Sequence, residues 1–118
     1  MKVSEHFDRS EFKCKCGKCE FDTVDVKLLE ILEDVRTHFK NPVRITSGCR
    51  CVTHNKAVGG SLGSKHLMGK ASDIVVDKVH ENEVYAYLDE KYNDTLGLGL
   101  YKGWVHVDSR EHKARWKG

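Results

Sequence analysis

The sequence contains no long hydrophobic run. Nothing in it approaches the roughly 18 uninterrupted apolar residues that a membrane span needs, and the opening MKVSEHFDRSEF lacks the apolar stretch of an export signal. Stable membrane insertion is therefore not expected, and synthesis in the cytoplasm without a signal peptide is. Net charge is equally scarce: 20 basic side chains against 18 acidic ones leave +2, which gives no footing for nucleic-acid binding. There is a single proline, and no internal repeat, low-complexity tract or linker interrupts the 118 residues. One domain spanning 1–118, present as a monomer, is the expectation.

Cysteine is plentiful by comparison. Five cysteines fall in two clusters, CKCGKC (Cys14, Cys16, Cys19) and CRC (Cys49, Cys51). An odd number and cytosolic synthesis both oppose a full disulfide framework. Cys16-Gly-Lys-Cys19 is a C-x-x-C turn of metal-knuckle type, so a structural metal drawing on both clusters is one reading. A single disulfide formed after release from the cell is another, and reduced thiols are the third. A thiol titration combined with a metal count separates them.

Val24, Leu28, Leu32, Val35 and Phe39 recur at helical spacing, with Ile31 widening the stripe, and predict a helix over 24–39 capped by Asp22 or Thr23. Pro42 ends it, and VRIT (43–46) alternates as a half-buried strand does. THNKAVGG reads as a short helix closed by Gly59 and Gly60. Residues 71–77 carry the β-branched run of a buried strand, ENEVYAYLDEKY gives a second helix, and LGLGLY and WVHVD read as two strands joined by a turn at Lys102 and Gly103. The sum is an α+β fold, a small, mostly antiparallel sheet flanked by helices, with the 24–39 helix packed on it. The basic end, SREHKARWKG, reads as a solvated tail; the alternative is attraction to anionic polymers or lipid headgroups with Trp116 as an interfacial anchor.

Seven histidines are present. His6, His38, His80 and His112 sit among charged residues with no partner pattern and read as solvated side chains. His66 and His106 each begin or lie inside a strand next to a carboxylate. In WVHVD, period-two geometry puts Trp104, His106 and Asp108 on one face. A zinc ion used for hydrolysis takes three protein ligands, imidazole or carboxylate, and keeps one position open for water. His66, Asp73 and His106 can supply that set. Spacing alone equally allows His66 to cap a turn, Asp73 to bind backbone amides and His106 to be a satisfied core histidine.

The series S-x-H-x-x-G-x-A-x-D, here Ser64, His66, Gly69, Ala71 and Asp73, resembles the zinc signature of the peptidase M15 family. That family holds D-alanyl-D-alanine carboxypeptidases, D,D-dipeptidases and peptidoglycan-cleaving endolysins. RITSGCRC resembles its SGYR segment through Ser47, Gly48 and Arg50; CVTHN resembles its C-P-x-H-N, and GLGLYKGWVHVDSR its closing hairpin. The likeness runs from about Arg44 to Arg110.

The resemblance implies an M15/Hedgehog-like fold, a zinc cofactor held by His66, Asp73 and His106, and a peptidoglycan peptide as substrate. It also implies that Arg50 binds the substrate carboxylate or carbonyl and helps stabilise the oxyanion, a task suited to a planar guanidinium. Ser64 can hydrogen-bond substrate or brace the turn. Many M15 enzymes place an acidic base three residues before the last histidine ligand, where this chain has Gly103. Asp108 is the nearest acid, either as base toward the zinc-bound water or, the favoured role, as the partner that holds the tautomer of His106. Tyr101 is a lesser candidate for acid or electrophile, more simply read as packing. A zinc peptidase acting on the cell wall after release, or carried in a virion, is the first functional expectation. A non-catalytic zinc module for cell-wall binding or virion structure, as the Hedgehog signalling domain is for signalling, is the second, and Gly103 favours it.

Overall fold

Leu28, Leu32 and Val35 have no exposed surface, and Leu29 and Ile31 almost none. They form the buried stripe of α1, Val26–Phe39. The structure, a computed structural model, describes residues 2–14, 25–48 and 70–118. Within them the helix starts two residues later than the apolar spacing predicts. Asp25 occupies the N-cap position without capping the helix, because its carboxylate instead accepts a hydrogen bond from Ser109 Oγ at 2.9 Å. Asp22, Thr23 and Val24 lie outside the described residues, as does THNKAVGG. The helix closes at Lys40 in the left-handed conformation, ahead of Pro42.

Five strands follow: β1 (Val43–Ser47), β2 (Ala71–Val76), β3 (Gly97–Tyr101), β4 (Trp104–Asp108) and β5 (Ala114–Lys117), with α2 (Glu81–Lys91) between β2 and β3. They form one sheet in the order β1-β2-β4-β3-β5. Every pairing is antiparallel except β3 with β5. The α+β architecture and mostly antiparallel sheet are those the sequence predicts. The turn between β3 and β4 is at Lys102 and Gly103, with Gly103 at φ +98°, where a side chain would be strained.

The basic end is not a solvated tail but the fifth strand. Backbone N–H groups of Ala114 and Gly118 donate to the carbonyls of Leu96 and Leu100 at 3.0 and 2.8 Å. Arg115 fastens the strand to the end of α2, donating from Nε to Asp89 at 2.6 Å and from Nη2 to the Tyr92 carbonyl at 2.9 Å. His6, His38 and His80 are exposed, as expected, yet each has a partner. His6 pairs with Glu33, His38 stacks on Tyr87 with centroids 3.7 Å apart, and His80 caps α2 by accepting from the Asn82 N–H at 3.1 Å.

Register divides the sheet into two faces. Val43, Ile45, Ile74, Val76, Leu98, Val105 and Val107 share one face and join the buried residues of α1 and of α2 (Val84, Leu88) in a single core. A short 3-10 helix, Arg9–Phe12, adds Phe12 to that core, and the segment before it adds Phe7. Its backbone lies so close to Gly48 that a Cβ there would stand 2.7 Å from Phe12 Cα. The opposite face carries Asp73, His106 and Gly99 in one cross-strand row and Ala71, Asp108 and Gly97 in the next. All the described chemistry of interest lies on that face.

Candidate metal centre

Pairing of β2 with β4 sets Asp73 directly across from His106. The His106 ring nitrogen Nδ1 lies 3.1 Å from Asp73 Oδ1, and its Nε2 lies 2.8 Å from Asp108 Oδ2. The imidazole thus stands between two carboxylates of very different character. The Asp73 side chain keeps 14% of its surface open, whereas that of Asp108 keeps none.

Asp108 is surrounded by donors. Arg110 gives Nε to Oδ1 and Nη2 to Oδ2, each at 2.7 Å, and the backbone N–H groups of Gly97 and Arg110 reach Oδ1 at 3.1 and 3.2 Å. Burial pushes the Asp108 carboxyl up, but the hydrogen bonds and charges of His106 and Arg110 outweigh burial and hold it well below the usual carboxylate range. A carboxylate so placed accepts only, so the proton on Nε2 of His106 is assigned to this bond.

That assignment decides what faces Asp73. With Nε2 protonated, a neutral His106 turns a lone pair from Nδ1 toward a carboxylate oxygen 3.1 Å away. Two acceptors at this separation need a cation between them, either a second ring proton or a metal ion. Burial pushes His106 toward the neutral form, and its bonds to Asp108 and Asp73 outweigh that and raise its pKa. Zinc bonds to nitrogen and oxygen of about 2.0–2.2 Å place neighbouring donors of a tetrahedral site about 3.3 Å apart. The 3.1 Å between Nδ1 and Oδ1 is close to that edge, so this pair fits a zinc ion.

Among the described residues no group of three or more His, Cys, Asp and Glu side chains could hold a metal ion. His66, the third ligand implied by the resemblance, lies outside the described residues, as do Arg50 and Ser64. Cys16, Cys19, Cys49 and Cys51 lie outside them too, while Cys14 is described and buried. Gly103, at the position where many M15 enzymes carry an acid, sits in the hairpin turn with its N–H donating to Glu81 at 3.1 Å. Tyr101 is engaged in packing: its ring stacks on Trp104, and its hydroxyl accepts from Trp116 Nε1 at 2.8 Å.

The family model described as Peptidase M15 matches residues 5–108, from before the 3-10 helix to the end of β4. The chain belongs to the peptidase M15 family. Comparison with curated proteins gives no match. Membership in M15 makes the protein a peptidase, in a family of metallopeptidases that generally depend on zinc. It also places the Asp73–His106 pair within the matched span and leaves β5 beyond it.

Three residues that shape this cluster are not predicted from the sequence. Arg110 neutralises Asp108, Gly97 donates to it, and Gly99 lies opposite His106. A signal for the glycines was available, since glycine inside a strand marks a close approach by another group. A Cβ at 97 would collide with the Asp108 carboxylate, and one at 99 would stand 2.6 Å from Trp116 Cε2. No sequence signal marks Arg110, whose role follows from the fold of the chain just after β4.

Proposed function

We propose that this protein is a zinc peptidase that hydrolyses peptide bonds in the D-alanine-containing stems or cross-links of bacterial peptidoglycan. The observation that supports it is the Asp73–His106–Asp108 cluster in an M15 chain, in which the outer carboxylate and the imidazole face each other across a cation-sized gap. When bound there, zinc would supply Lewis-acid polarisation of a peptide carbonyl and would lower the pKa of water to about 7. Asp73 and His106 serve as ligands, and His66 as the third. Asp108 fixes the Nε2–H tautomer of the neutral His106 ring and so leaves the Nδ1 lone pair for the metal; with its oxygens taken up by Arg110, Gly97 and His106 it is poorly placed to abstract a proton. Arg50 binds the substrate carboxylate and the developing oxyanion, and Ser64 hydrogen-bonds the peptide. A lytic role after release from a cell, or within a virion, fits this substrate.

A second reading, a zinc module without turnover, draws on Gly103, which offers no acid at a position where M15 enzymes often have one. One experiment separates the two. Purified protein is incubated with peptidoglycan, with and without a chelator. Released stem fragments or D-alanine that disappear with the chelator and return with zinc support the peptidase. Stoichiometric zinc binding with no release supports the module.

A further inference from the structure

Both tryptophans of the chain stand on the sheet face that carries His106. Trp104 is paired with Tyr101 across the β3–β4 hairpin, and the two rings lie parallel to within 3° with centroids 4.8 Å apart. Trp116 donates from Nε1 to the Tyr101 hydroxyl at 2.8 Å, and its own ring lies 5.1 Å from that of His106 with the Arg110 guanidinium 5.4 Å away. Gly99 makes this arrangement possible, because any side chain opposite His106 would displace Trp116. The result is an aromatic platform fixed before any ligand arrives: a hydrogen bond sets the angle of Tyr101, and Tyr101 sets that of Trp104.

Trp104 remains 36% exposed, and with Val26 it is one of two exposed large hydrophobic residues among the described residues. It stands two positions from His106 on one strand, about 6.6 Å along the sheet. Flat, rigid, partly open aromatic surface beside a hydrolytic centre favours a ligand group with a flat apolar face and a polar edge. Peptidoglycan stems contain no aromatic residue, and the group of that shape in the polymer is the pyranose ring.

We infer that the Trp104–Tyr101 platform, braced by Trp116, is a subsite for a sugar ring of the glycan strand, so that the enzyme acts on stems still attached to glycan and cuts within two or three residues of the sugar. This rests on the peptidase reading above. The span follows from chain geometry: two or three extended residues at about 3.3–3.6 Å each link a bond at His106 to a ring on the platform.

The test uses the intact protein with zinc, and two soluble substrates: a stem peptide carrying its disaccharide and the same peptide without it. The wild type should show a KM about tenfold lower for the disaccharide-bearing substrate. Trp104→Ala should erase that preference while leaving kcat on the free peptide within about twofold, and Trp104→Phe should retain most of it. Fragments should map the cut to the sugar-proximal end of the stem. Equal KM values for the two substrates in the wild type, or an equal loss on both in Trp104→Ala, overturns the inference. Titration of the wild type with the free disaccharide, read by tryptophan emission, is independent of turnover: a saturable change that is lost in Trp104→Ala supports the subsite, and no change overturns it. Absence of cleavage of either substrate alongside a positive titration would defeat the peptidase reading and leave the sugar subsite standing.

Discussion

Replacing Asp108 by asparagine keeps the shape of the side chain and removes its charge. In the native site Oδ2 accepts from His106 Nε2 at 2.8 Å and from Arg110 Nη2 at 2.7 Å, while Oδ1 accepts from Arg110 Nε and the Gly97 N–H. An asparagine that keeps its oxygen toward Arg110 Nε and Gly97 turns its NH2 toward His106 and Nη2, donor against donor. The proton of His106 then moves to Nδ1, and the lone pair that faces Asp73 is lost. Partners of this kind are worth about 10–100-fold in metal affinity, or about 1.4–2.7 kcal/mol. The fold also weakens. Removing one partner of a fully buried ion pair costs about 3–5 kcal/mol, and because the Arg110 side chain is 31% exposed the loss here is about 2–3 kcal/mol. The assay is a competition for zinc with a chromophoric chelator, run well below the unfolding midpoint. A zinc affinity unchanged within about twofold, together with a kcat lower by orders of magnitude, would refute the argument and make Asp108 the general base.

Gly97→Ala should weaken zinc binding in the same assay, since the new methyl collides with the Asp108 carboxylate that orients His106; unchanged affinity counts against the role given to that contact. Ser72→Ala should stabilise the protein by about 1 kcal/mol, because the Ser72 hydroxyl is the buried side-chain polar atom that has no hydrogen-bond partner among the described residues. Thermal unfolding measures it, and a lower midpoint would contradict the prediction. Asp34 on α1 accepts from the Tyr87 and Tyr92 hydroxyls at 2.7 and 2.8 Å and from Lys91 Nζ at 2.8 Å, tying the two helices together. Burial raises its carboxyl, and those donors outweigh burial and hold it below its ordinary value of 3.8. A depressed folded pKa contributes stability that is complete above the unfolded value, about 4, and is lost as pH falls through the folded one. Asp34→Asn should therefore flatten the fall in urea midpoint below about pH 5, and an unchanged slope would exclude Asp34 as a contributor.

The elements that could be read from the sequence are those whose burial leaves a periodic trace. Leu28, Leu32 and Val35 mark α1, and the alternation in LGLGLY and WVHVD marks the central hairpin, its turn and the shared face of His106 and Asp108. β5 left no such trace. Four residues are too few for a period, and one of the charges that suggested solvent, Arg115, is spent on Asp89 and on the carbonyls of Tyr92 and Leu96. The pairing of Asp73 with His106, 33 residues apart, is a matter of strand order and register, which residue type alone does not encode. The M15 signature anticipated that meeting because it summarises a fold, and the same signature is silent on Arg110 and Gly97, whose service to Asp108 depends on how this chain leaves β4.

The most direct measurement of the central claim is an anomalous difference map collected at the zinc edge from crystals of the zinc-loaded protein. The account predicts a peak on the open face of the sheet, about 2.0–2.2 Å from both His106 Nδ1 and Asp73 Oδ1. A peak bonded to His106 Nε2, or no peak at this pair with zinc in excess, would contradict it.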